Sequence, residues 1–142
     1  MRLALSLIAL AFPAQAWEFS AAPVCTLSHE TAEASLRITR DPSRAEPYAI
    51  TITTAEPWPD AASFAIRYEG ARPFTIATER HRLSENGRTL TVTDTGFSNV
   101  LDGIEFNAKA TALSGSLALP FALDGARGPL RDFRACGGAP VS

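Results

Sequence analysis

Period-two alternation of apolar and polar residues, an Asn-Gly turn signal and a cysteine near each end predict a mainly β protein. The expected architecture is a single-domain β-sandwich or a barrel-like antiparallel sheet with one short C-terminal helix. Seven to nine short strands account for most of the chain after its first sixteen residues.

Residues 1–16 read as a cleaved signal peptide. Arg2 supplies the positive start, Leu3 to Phe12 an uncharged apolar run, Pro13 a break, and Ala14 and Ala16 the small residues before a cut. As a helix that run spans about 15 Å, half of a bilayer core of about 30 Å, so it is too short to anchor. Trp17, not cysteine, follows the cut, which leaves no site for a lipid on a new N-terminal Cys. Residues 17–142 form the expected domain, exported to the periplasm or secreted, with no membrane association after cleavage.

The first strand is expected at Val24 to His29. In Ala34 to Thr39 the apolar Ala34, Leu36 and Ile38 share one face, and Asp41-Pro42-Ser43-Arg44 ends the segment. Tyr48, Ile50 and Ile52 line the next strand. Glu56-Pro57-Trp58-Pro59-Asp60 is a rigid loop holding an aromatic between prolines, Trp58 either folding back as a lid on the core or stacking on a ligand. Phe64, Ile66 and Tyr68 lead to a turn at Glu69-Gly70-Ala71-Arg72, and Phe74, Ile76 and Thr78 lead out of it. Arg80 to Ser84 adds a further short segment.

Glu85-Asn86-Gly87-Arg88 then supplies the clearest turn signal, with Asn86 and Gly87 suited to the two positive-φ centres of a type I′ turn. Thr89 to Thr93 follows, Leu90 and Val92 inward. Alternation fails from Thr95 to Asn107, which reads as a loop or one short helical turn. Lys109 to Leu113 and Ser116 to Leu123 are strands across a Ser114-Gly115 turn, and Pro120 assigns the second to an edge or a bulge. Arg127 to Ala135 forms the terminal helix, Leu130 and Phe133 packing inward and Gly137-Gly138 stopping it.

The two cysteines of an exported chain are expected to pair, so a Cys25–Cys136 disulfide would staple the ends of the domain. A closed loop of that length stabilises by about 4–5 kcal/mol in the chain-entropy picture. The net charge is −2, and loss of Arg2 makes it more acidic. A mildly acidic chain with scattered charge has no footprint for nucleic acid. No G-x-x-x-x-G-K-[ST] loop is present, which removes ATP-driven work.

Catalytic motifs are sparse. His81 with Ser84 or Ser98 and Asp94 has the residue types of a hydrolytic triad, but Gly96-Phe97-Ser98-Asn99-Val100 lacks the last glycine of a nucleophile elbow. His29-Glu30-Thr31-Ala32-Glu33 lacks the second histidine of a zinc helix and falls at a strand end. No catalytic residues, metal ligands or cofactor are assigned. Four residues are candidates for ligand contact: Trp58 on its rigid loop, and Arg80, His81 and Arg82, the densest positive cluster. A charged strand edge that resists aggregation is the structural explanation for that cluster.

Pro57-Trp58-Pro59-Asp60, Leu90-Thr91-Val92-Thr93-Asp94 running into Asn99-Val100-Leu101-Asp102-Gly103, and Phe133-Arg134-Ala135-Cys136 carry a resemblance. In these segments the chain resembles small exported alphaproteobacterial proteins of unknown function, often mislabelled as a component of the ABC excinuclease. That label implies a large cytoplasmic DNA-repair ATPase, which the leader, the acidic charge and the missing phosphate loop contradict. The resemblance implies no site residues. The expected function is a non-catalytic periplasmic domain binding a protein or small ligand. A small hydrolase using carboxylates or His81, and an inhibitor presenting the loop from Glu56 to Asp60 to a cell-wall or proteolytic enzyme, are the alternatives.

Overall fold

The structure, a computed structural model, describes residues 16–136. The leader residues 1–15 and the Gly137-Gly138 stop lie outside the described residues. In chain order the elements are β1 (Glu18–Ser20), β2 (Cys25–Glu30), β3 (Ala34–Arg40), β4 (Tyr48–Thr54), β5 (Phe64–Gly70), β6 (Phe74–Thr78), β7 (Arg82–Ser84), β8 (Thr89–Asp94), α1 (Ser98–Phe106), β9 (Asn107–Ser114), β10 (Leu117–Ala122) and α2 (Arg127–Ala135).

The strands form two antiparallel sheets, not a closed barrel. One sheet has six strands in the order β1-β2-β3-β4-β8-β7, the other four in the order β10-β9-β5-β6. The alternation seen in sequence sets their inner faces. Leu27, Leu36, Ile38, Ile50, Ile52 and Leu90 are buried on the first sheet, and Phe64, Ile66, Tyr68, Leu119 and Phe121 on the second. Their partners one residue away, such as Arg37, Thr53 and Arg67, face solvent. Shifting any of these strands by one residue would exchange the two sets, so burial pins the register.

Two strands are too short for alternation to reveal cleanly. β1 pairs with β2, Phe19 opposite Leu27, and β7 pairs with β8, Leu83 opposite Leu90. Pro120 lies in β10, the outer strand of the smaller sheet, where a missing N–H breaks no ladder.

The turn after β7 differs from expectation by one residue. The positive-φ centres are Glu85 (φ 55°) and Asn86 (φ 58°), closed by the Gly87 amide donating to the Ser84 carbonyl at 3.1 Å. Gly87 follows at φ 83°. The shift has a structural reason: the carbonyls of Gly87 and Arg88 accept from the amides of Trp58 (2.7 Å) and Thr54 (2.9 Å), docking the proline-rich loop on the turn.

The larger correction is α1. Instead of a loop or a single turn, residues Ser98–Phe106 make a nine-residue helix. Its start carries no side-chain cap and no acidic residue in the first turn, so the usual sequence signals are missing. Tertiary packing makes it helical. Val100, Leu101, Gly103 and Ile104 are buried, and the Tyr68 hydroxyl donates to the Val100 carbonyl at 3.1 Å. Gly103 weakens an isolated helix, but here its lack of a side chain lets the helix lie against the Tyr68 ring, which a Cβ would overlap. Burial also raises the Tyr68 hydroxyl's pKa, so it stays a donor.

α2 buries Leu130 and Phe133 and packs on β1 and β2. Cys136, just past it, bonds to Cys25 at the start of β2 with Cα atoms 6.0 Å apart. Arg134 on α2 reaches Asp102 on α1 at 2.7 Å, and the Arg127 Nε donates to the Glu105 carbonyl at 3.2 Å. Among the described residues no helix is long and apolar enough to cross a membrane.

Two stability changes follow. Replacing Cys25 and Cys136 together by alanine should lower unfolding free energy by about 2–5 kcal/mol, measured by urea denaturation. Gly103→Ala should destabilise by about 1–3 kcal/mol through overpacking against Tyr68, and a neutral result would show that α1 stands off that ring.

Candidate binding cleft

The two sheets do not meet equally along their lengths. Where β8 faces β5 and β6, a cleft of about 350 Å³ opens between them. Ile50 and Val92 line it from the larger sheet, Phe64, Ile66 and Ile76 from the smaller, and Phe97 and Val100 from the start of α1. This size is at the low end for small-molecule sites, and an apolar floor with few polar groups is their usual lining.

The mouth is polar. Thr78, Arg80, Asp94, Ser98 and Asn99 border it. The Arg80 guanidinium donates to the Glu46 carboxylate at 3.0 Å and to the Thr93 carbonyl at 2.8 Å, and lies 3.9 Å from Asp94. The second Glu46 oxygen accepts from the Thr93 hydroxyl at 3.0 Å. Arg80 is thereby held in place by groups from the β3–β4 loop and β8. Two carboxylates share one guanidinium, so the mouth carries no surplus positive charge.

The four candidate contact residues do not converge. Arg80 alone lines the cleft. His81 turns inward: its Nε2 lies 3.0 Å from the Ala61 carbonyl, and its ring is 6.3 Å from that of Phe64. No serine or carboxylate among the described residues is hydrogen-bonded to His81, so Ser84, Ser98 and Asp94 do not assemble a triad around it. Arg82 points to solvent from β7. Trp58 is 4% exposed, its indole N–H donating to the Ile52 carbonyl at 3.1 Å and its ring edge-on to Phe64. Its flat faces are spent on the core, where no ligand can stack. Without that exposed aromatic, the loop from Glu56 to Asp60 presents only prolines and carboxylates.

Glu46, Phe97 and Asn99 were not among the candidates, whereas Arg80 was, and Ile50, Phe64, Ile66, Ile76 and Val92 lie on expected inner faces.

The opposite seam of the sandwich is bridged by aromatic rings. Trp17 is 5% exposed, stacks on His29 with ring centroids 4.5 Å apart and planes 5° from parallel, and donates from Nε1 to the Ala122 carbonyl at 2.9 Å. His29, 4% exposed, also meets the Phe121 ring at 6.4 Å. It is a core histidine at a strand end, and among the described residues no cluster of three metal-ligating side chains forms.

Burial pulls the His29 pKa below 6.5, against a smaller raising effect of the Ala16 carbonyl. A base with a depressed folded pKa binds more protons when unfolded, so stability rises with pH through that window. The domain should hold full stability above pH about 6.5 and lose some as pH falls below it. His29→Phe should flatten that slope in denaturation curves taken on both sides of the window; an unchanged slope would remove His29 as its source. Comparison with protein-family models, curated proteins and solved structures finds no match to this chain, so the cleft is interpreted from its geometry.

Proposed function

We propose that the chain is an exported, non-catalytic binding domain that accepts an apolar group in the cleft between β8 and β6. The cleft carries this reading: an apolar floor reaching the core, with a polar mouth held in one arrangement by Arg80 and Glu46. The Cys25–Cys136 bond and the signal-peptide pattern of residues 1–16 support an oxidising compartment, the periplasm or the exterior. The resemblance to small exported alphaproteobacterial proteins agrees with that location.

Native mass spectrometry on protein recovered gently from the periplasm tests the reading. A mass starting at Trp17 with the disulfide intact, plus a bound component, is expected. Ile76→Trp, which fills the cleft from a half-buried position, should weaken retention of that component about tenfold, or about 1.4 kcal/mol, with little change in melting temperature. Equal retention by the variant would move binding elsewhere, and residence in the cytoplasm would end the export reading.

A further inference from the structure

We infer that the occupant of the cleft is an extended segment of another protein, added as a fifth strand beside β6, apolar at alternate positions and acidic at the end that meets Arg72. The inference rests on the cleft being a binding site and names what it binds.

Four strands end the two sheets: β1, β7, β10 and β6. Natural sheets blunt such edges with shortness, charge or proline. β1 and β7 are three residues each and carry Glu18 and Arg82. β10 carries Pro120. β6, Phe74-Thr75-Ile76-Ala77-Thr78, has five residues with no charge and no proline. Among the described residues its backbone bonds run to β5 only, so its outer row of N–H and C=O groups is open.

The core is also unfinished at that edge. Phe64, Ile66 and Tyr68 of β5 are buried, whereas Phe74, Ile76 and Thr78, their neighbours on β6, are only half-buried. A smaller sheet of four strands faces one of six, and the cleft lies at this side. A strand paired with β6 would place alternate side chains over Ile76 and Val92. Backbone pairing with pockets for every second side chain is the physics of strand addition.

Charge selects the occupant. Between residues 72 and 82 the charged residues are Arg72, Glu79, Arg80 and Arg82, with His81 beside them. Arg80 is committed to Glu46. Arg72 lies over the Phe106 ring at 4.1 Å, and among the described residues neither it nor Arg82 has an ion-pair partner. Arg72, just before the start of the uncharged strand, suits an acidic residue at that end of the incoming segment, whereas at the other end Glu79 and the two carboxylates on Arg80 offset the positive charge. A second copy fits poorly, because antiparallel pairing centred on Ile76 sets Arg72 opposite Arg80, and like charges directly opposed destabilise a pair.

The test selects binders from a display library of short random peptides against the oxidised full chain. Enriched peptides should alternate apolar residues and carry an acidic residue at one end, weaken with salt, and slow amide exchange at residues 74–78. Each is then made in two forms, N-methylated on one or the other alternate set of residues. A strand donates from only one set, so one form should bind about tenfold more weakly and the other should be spared. Equal binding by both forms, with protection of Val92 but not of residues 74–78, would overturn strand addition and leave the cleft reading standing. So would a small molecule found in the cleft with no peptide enriched. Absence of both would defeat the two readings together, and a concentration-dependent dimer protecting residues 74–78 would put a second copy there instead.

Discussion

The bond between Cys25 and Cys136 ties the start of β2 to the end of α2, and much of the rest of the molecule hangs from that tie. α2 has one buried face, Leu130 and Phe133, and a short helix with so small a face is marginal alone. Held there, it presents Arg134 to Asp102 and so steadies α1. α1 in turn satisfies the Tyr68 hydroxyl through the Val100 carbonyl and supplies Val100 and Asn99 to the cleft. A covalent constraint at the chain ends is thus transmitted through two helices to the rim of a site made mostly by strands.

The two seams of the sandwich illustrate how a core is closed. At one, Trp17 stacks on His29, whose ring meets Phe121 edge-to-face, and the indole N–H finds the Ala122 carbonyl, so a large aromatic is buried with its polar atom satisfied. At the other, no aromatic among the described residues bridges β8 and β6, and the opening is bounded by Arg80 and its carboxylates. One seam is therefore bridged by aromatic rings, and the other opens into the cleft. Trp58 is buried despite its place on a loop, its N–H donating inward to the Ile52 carbonyl.

Inner-face residues such as Ile38, Ile52 and Phe64 were legible because strand geometry repeats every two residues and burial obeys that repeat. The terminal helix was legible for the same kind of reason, through Leu130 and Phe133 at three-residue spacing. α1 was not. Its helical state depends on Tyr68, a residue thirty-two positions away from Val100, and on Gly103 fitting against that ring. Local propensity disfavours a mid-helix glycine, and tertiary contact overrode it. The turn at Glu85 and Asn86 shifted for a similar cause, because the carbonyls of Gly87 and Arg88 are needed by Trp58 and Thr54.

The site was less legible than the fold. Arg80, His81 and Arg82 are consecutive, yet one rims the cleft, one turns to Ala61 and one faces solvent, since neighbouring residues at a strand entry point in different directions. The sequence by itself determined the β character, the pairing of its two cysteines and the apolar inner faces, all of which follow from local periodicity and composition. Only the tertiary structure decided that the strands divide six against four, that Trp58 is core, and that Glu46 and Asp94 gather on Arg80 at an open edge. Those outcomes depend on contacts between residues far apart in the chain, and no local pattern encodes them.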